Sequence, residues 1–298
     1  MIQSQSGFTQ PEKAGESFFL VDSHCHLDLA PFDEDRSAVL ERARAAGVGL
    51  IVVPGIDVEQ GRGALALAET TPGIYAAVGV HPNSSVGFSA TTVDELRRLA
   101  AHPKVVAIGE IGLDYHWDRV RPEQQAMALR AQLTLAAELG LPVIIHNRDA
   151  SGDVACILEA WVQSEEFRRS PLAARPYAGV LHAFGGDLAL AQRAYGWKFL
   201  LGLGGPVTFK NARALHALVP DLRRDRLLIE TDAPYLTPHP HRGQRNEPGY
   251  VALTAARVAE LYGESIPETA QRTSALALAF FGLTEQATYL DAPTAPNV

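Results

Sequence analysis

Residues 21–28 read VDSHCHLD, in which two imidazoles, His24 and His26, flank the thiol of Cys25. A thiol between histidines can be a nucleophile, a metal ligand, or a bystander on the wrong face of a strand. On an extended backbone alternate side chains share a side, so His24 and His26 project one way and Cys25 the other. Other apolar runs also end in polar residues: His81 after IYAAVGV, Glu110 in VVAIGEI, His146 after PVII, His182 in GVLHAF and Asp232 after RLLIET. A lone strand histidine is usually a hydrogen-bonded core residue. A histidine pair joined by several polar residues at matching strand ends is instead a metal-ligand pattern.

The elements that must position these residues are legible in the hydrophobic pattern. Strands are expected at 18–22, 49–54, 74–80, 105–111, 142–146, 179–184, 198–203 and 226–231. They are nearly continuous apolar runs, as in strands covered on both faces. Amphipathic segments alternate with them, at 33–47, 57–69, 92–101, 149–163, 186–195, 210–218 and 248–262. In PEQQAMALRAQLTLAAELG, Leu129, Leu133, Ala136 and Gly140 form one stripe, with Pro122 suited to the first turn and Gly140 to the stop. Eight strand–helix repeats make a (β/α)8 TIM-like barrel, whose active site lies at the C-terminal strand ends. The competing doubly wound sheet lacks its usual GxGxxG after the first strand. Residues 18–284 are expected to form one barrel domain, with tails at 1–17 and 285–298.

Composition narrows the function classes. At 298 residues, 47% hydrophobic and 20% charged, the chain can bury a full core. A formal net charge of -8 argues against coating duplex nucleic acid with a broad basic face, but not against a nuclease whose positive charge is local or metallic. Two cysteines without CxxC spacing, no secretory signal pattern and no apolar run near the roughly 18 residues of a membrane span lead us to expect a cytoplasmic protein without membrane association. No obligate protein partner is evident.

Taken together, DSHCHLD, VGVHP, GEIGLDY, IIHNRDA, LHAFGG, ETDAPYLTP and HRGQRNEP resemble, in order, the motifs of TatD-type metal-dependent deoxyribonucleases. The resemblance spans about residues 20 to 282. It implies a one- or two-metal site that hydrolyses DNA phosphodiester bonds. Carried over residue by residue, it makes His24, His26, Glu110, His146, His182 and Asp232 metal ligands. His24, His26 and Asp232 would hold one ion, His146 and His182 the other, and Glu110 would bridge them. Two divalent ions less two carboxylates leave a locally positive mouth. Imidazole-rich ligation favours Zn or Mn over Mg, without excluding Mg. Glu110 and Asp232 are the catalytic candidates, Asp232 either as acceptor of the attacking water's proton or as a purely structural ligand.

His81, Arg148, Arg242 and Arg245 are the substrate-binding candidates. His81 stands at the right height, and arginine suits phosphate contact. Asp114 is expected to fix a loop or a ligand histidine. Three positions depart from the family pattern: Asn83 and Ala183, which bear on pocket shape, and Leu276, which bears on packing. Cys25 is expected to pack between barrel and helices. Single-stranded DNA or DNA ends are the expected substrate. The alternative is an amidohydrolase-type enzyme cleaving esters, lactones or amides on the same site. Its bridging carboxylated lysine finds no counterpart here, because the chain's four lysines, Lys13, Lys104, Lys198 and Lys210, lie off the strand ends that matter.

Overall fold

A computed structural model describes residues 19–284; the two expected tails, and Phe18, lie outside the described residues. Eight parallel strands follow one another in sequence order: β1 (Leu20–Asp22), β2 (Val48–Pro54), β3 (Ile74–Val78), β4 (Val105–Asp114), β5 (Val143–Arg148), β6 (Gly179–Leu181), β7 (Phe199–Leu203) and β8 (Leu227–Ile229). Around them run α1 (Arg36–Ala45), α2 (Val58–Thr70), α3 (Ala90–Ala100), α4 (Pro122–Leu139), α5 (Ser151–Gln163), α6 (Glu165–Arg169), α7 (Leu188–Gly196), α8 (Arg213–Leu218), α9 (Val251–Tyr262) and α10 (Ile266–Phe281). This is the expected (β/α)8 barrel. Among the described residues no helix is long and apolar enough to cross a membrane.

Strand parity builds two cores. In β2, Leu50 and Val52 face the barrel interior, while Ile51 and Val53 face the helices. Both faces are therefore apolar, which is why the strands read as unbroken hydrophobic runs. The helices stop where expected. α4 carries Pro122 in its first turn and ends at Gly140 in the left-handed conformation, φ 70°. Asp57 caps α2 by accepting from the Gln60 N–H at 2.9 Å.

Two differences from the expected elements have physical causes. β1, β6 and β8 are only three residues long, because the chain leaves regular pairing just before His24, His182 and Glu230. Eight strand–helix repeats also understate the helices. After β8 come both α9 and α10, and α10 closes the barrel end away from the site. Leu276, Ala277, Phe280 and Phe281 join the interior residues Val21, Leu50, Val180 and Leu228 in one cluster. The family departure at Leu276 is thus a packing feature. A capping box starts this plug: Ser265 and Glu268 bond each other's backbone N–H groups.

The seam between β8 and β1 closes outside the regular ladder. Ile229 O accepts from Ser23 N at 3.2 Å and from Ser23 Oγ at 3.0 Å. Farther along, Asp232 N donates to His24 O and His26 N donates to Ala233 O, each at 2.8 Å. Between them the buried Asp22 carboxyl bonds the Thr231 N–H at 2.9 Å and the Thr231 hydroxyl at 2.6 Å. Burial pushes the Asp22 carboxyl up to about 8.

Phe280 is fully buried in the plug, so Phe280→Ala should lower stability by ~3–5 kcal/mol. Chemical denaturation would measure this, and a loss under about 1 kcal/mol would show that the plug is dispensable.

Candidate metal centre

The apolar interior leads directly into the site. Ile144, Val180 and Leu228 face inward, and two residues on, the same parity presents His146, His182 and Glu230 at the mouth. His24 and His26 leave β1 toward the same point. Cys25 turns the other way, fully buried in the outer core with Leu27 and Phe32, and its N–H bonds Val52 O at 3.0 Å. Cys25 is packing.

The donor atoms converge in two groups around one carboxylate. His24 Nε2 and His26 Nε2 lie 3.2 Å apart. Each is 3.6 Å from Asp232 Oδ1, and they stand 3.4 and 3.5 Å from Glu110 Oε2. The other Glu110 oxygen, Oε1, meets His146 Nδ1 at 2.7 Å and His182 Nε2 at 2.8 Å. His24, His26 and Asp232 form one set able to hold a metal, and Glu110, His146 and His182 form another. Asp232 and Ala183 adopt left-handed φ values of 56° and 45°, a conformation that costs a non-glycine residue ~1–3 kcal/mol. Hydrogen bonds from the Asp232 N–H to His24 O and from the Ala183 N–H to Glu230 Oε1 hold them there.

Neighbouring groups choose the tautomers. His26 Nδ1–H faces Pro54 O at 3.2 Å, leaving the Nε2 lone pair for the site. His146 Nε2–H faces Asp114 Oδ2 at 3.1 Å, leaving Nδ1. Carboxylate or carbonyl partners of this kind orient metal-ligating imidazoles. His81 is set the opposite way. Its Nδ1 accepts from the Asn83 N–H at 3.1 Å, so Nε2–H points inward, 3.7 Å from Glu110 Oε1.

Electrostatics fit a cation. Burial opposes ionisation of Glu110, but His182 and His81 outweigh it and hold the carboxyl well below its ordinary range. Burial likewise opposes charge on His26, yet bonds to Asp232 and Glu110 raise it to about 10. His24, buried and stacked on His182 at 4.0 Å, is lowered. Burial takes His81 down to about 4, so it is a neutral donor. Two carboxylates held anionic among four imidazoles make a site that positive charge stabilises, whether protons on the rings or a cation that displaces them. Divalent cations that accept both nitrogen and oxygen ligands satisfy that donor set.

Residues 21–282 match the family model described as TatD related DNase. The chain belongs to that family. Among curated members, it is 44% identical over 86% of its length, and 96% of the relative's, to the uncharacterized metal-dependent hydrolase YabD of Bacillus subtilis. It is 38% identical to the 3'-5' ssDNA/RNA exonuclease TatD of Erwinia amylovora, over 89% of this chain and all of that one. The crystal structure of the TatD homolog YjjV from Escherichia coli superposes with a TM-score of 0.82 at 35% identity, covering 90% of this chain and 100% of that one.

A cavity of about 800 Å³ opens over the ligand sets and is lined by His81, Asn83, Trp117, Arg119, Arg148, Ala183 and Tyr235, among others. It contains His81 and Arg148 from the substrate-binding candidates. Arg242 and Arg245 are not in its wall. Arg245 forms a two-pronged ion pair with Asp35 at 2.7 and 2.8 Å, and Arg42 similarly grips Glu247. Arg242 lies over the Phe209 ring at 3.8 Å and donates to Thr237 O. Both therefore brace the loop after β8, using the charge that suggested phosphate contact. Asp114 takes both of its expected roles, accepting from the His116 N–H of the following loop and meeting His146. Burial works against its ionisation, but His146, the His116 N–H and Asn83 bring it to about 2. The lysines stay away: Lys104 bonds Ile74 O, Lys198 bonds Ala173 O, and none lines the cavity among the described residues.

Glu230 escaped the sequence reading. It is buried behind the ligands, with Oε1 3.6 Å from His182 Nδ1, too far for a hydrogen bond but close for a charge. It groups with His24 and His182 as a third donor set. Gly202 makes room for it, since a Cβ there would collide with the carboxylate. The available signal was parity, two residues beyond Leu228 on β8. Removing Glu230 should loosen His182. Glu230→Ala should weaken metal affinity ~10- to 100-fold while leaving the circular dichroism spectrum unchanged. Metal titration would measure it, and native affinity in the variant would deny Glu230 this role.

Proposed function

We propose that the protein is a metal-dependent 3'–5' exonuclease acting on single-stranded nucleic acid, with two divalent cations as cofactors. The observation carrying this reading is Glu110, whose two oxygens face separate donor sets at 2.7–3.5 Å. His24, His26 and Asp232 would hold one ion, His146 and His182 the second, and Glu110 would span both. The donor set suits Zn or Mn, and Mg where substrate oxygens complete its shell. Two such ions would supply the charge that acidifies a water and stabilises the attacking and leaving oxygens of a phosphodiester. Single-strand and 3'-end preference is supported by relatives named 3'-5' ssDNA/RNA exonuclease.

The chain's own groups do the rest. His81 Nε2–H donates to a phosphate oxygen, a task suited to a neutral imidazole. Arg148 and Arg119 neutralise flanking phosphates at the cavity wall. Asp114 keeps the His146 ring turned toward the site. Asp232, beside His24 and His26 at the mouth, is the carboxylate placed to accept the attacking water's proton. The same arrangement explains how a chain of net charge -8 binds a polyanion, because the positive charge is concentrated where the scissile phosphate sits.

The test is digestion of 5'- and 3'-labelled single-stranded DNA with Mg, Mn or Zn. Nucleotide release from the 3' end is expected, and turnover of an ester or lactone without nucleotide release would exclude the nuclease. Glu110→Ala should reduce digestion to background and lower the bound metal at both sites. Full turnover with both metals retained would refute the bridging role.

A further inference from the structure

Beside the ligand sets stands an aromatic platform that metal chemistry does not require. Trp117 lines the cavity and is 45% exposed, an unusual state for the largest apolar side chain. Arg119 and Arg148 place their guanidinium carbons 5.3 and 5.7 Å from the indole centre, within cation–π range. Among the described residues neither arginine is ion-paired to a carboxylate, whereas Arg42 and Arg245, outside the cavity wall, are both held by acids. The indole is also buttressed. The His116 ring meets it edge-on at 4.9 Å and 89°, and Asp149 holds that imidazole at 3.1 Å.

The platform is tied to the reacting centre. The His116 N–H bonds Asp114 Oδ1 at 3.0 Å, and the other oxygen of Asp114 bonds His146. Arg148 lies on the same strand as His146, two residues along, a rise of ~7 Å. Tyr235, 55% exposed, is the second exposed aromatic of the wall. A half-exposed indole with two guanidinium groups beside it, neither paired to a carboxylate among the described residues, has the chemistry to receive a nucleobase and its flanking phosphates.

We propose that Trp117 stacks an unpaired base next to the scissile phosphate, with Arg119 and Arg148 holding the phosphates on either side. This assignment rests on the nuclease reading and deepens it. A base in a duplex already stacks on its neighbours, so the platform selects single strands by geometry rather than by base identity. Sequence preference should accordingly be weak, with purines and pyrimidines both accepted.

A two-by-two comparison tests it with metal-loaded enzyme. Wild type and Trp117→Ala are assayed on labelled single-stranded oligonucleotides carrying either natural bases or abasic residues at the two 3'-terminal positions. Wild type should favour the natural strand in kcat/KM on the order of 5- to 150-fold. The ratio should fall to about one in Trp117→Ala and return in large part in Trp117→Phe, whose ring still stacks. Trp161 and Trp197 are only 8% and 5% exposed, so quenching of tryptophan emission by a hydrolysis-resistant phosphorothioate strand reports on Trp117 independently of turnover. Equal ratios in wild type and Trp117→Ala, with digestion intact, overturn the stacking and leave the nuclease standing. Absence of digestion of any strand by the wild type overturns both.

Discussion

The closure of β8 onto β1 is the constraint from which the site follows. These strands lie some two hundred residues apart in sequence, and the bonds joining them run through the residues that carry chemistry. The Asp232 N–H bonds His24 O, the His26 N–H bonds Ala233 O, and Asp22 ties itself to Thr231. Alternation along the extended chain turns His24 and His26 the same way, and the seam carries Asp232 to meet them in a left-handed conformation that a regular ladder would not permit. Folding and ligand assembly are the same event at this edge of the barrel.

Around that seam, electrostatics are arranged by depth. The apolar interior below the mouth raises the cost of charge, visible in the raised Asp22 carboxyl and the lowered His24 imidazole. One layer higher, carboxylates and imidazoles compensate each other around Glu110. Three of the four rings have a neighbour outside the cluster: Pro54 O for His26, Asp114 for His146, and the Glu230 carboxyl 3.6 Å from His182. The rings are thus already turned toward the site, and a cation would displace protons from the imidazoles it bound.

Much of this was legible in the sequence because barrels obey two simple periodicities. The continuous apolar runs identified all eight strands, and the polar residues ending them pointed to the donors that the structure brings together. What stayed hidden has physical reasons. Arg242 and Arg245 have the composition of a phosphate-binding loop, but whether a cation is free depends on acids distant in sequence, here Asp35 for Arg245. Glu230 was masked by its neighbour, since in ETD the more exposed carboxylate takes attention from the one two residues earlier. Trp117 carries no mark of a binding role in the sequence, and only its exposure beside two arginines without a carboxylate partner among the described residues marks it out. The plugging helix α10 could not be seen as a plug, because its apolar stretch does not say which end of the barrel it covers.

The seam also has a consequence for how the protein is made. Because β1 is synthesised first and β8 last among the strands, no partial chain emerging from a ribosome contains both His24 and Asp232 until residue 232 is out. The helix that seals the opposite end of the barrel, α10, follows only afterwards. A growing chain therefore carries imidazoles and carboxylates early but lacks the complete donor cluster until the last strand of the barrel has been translated.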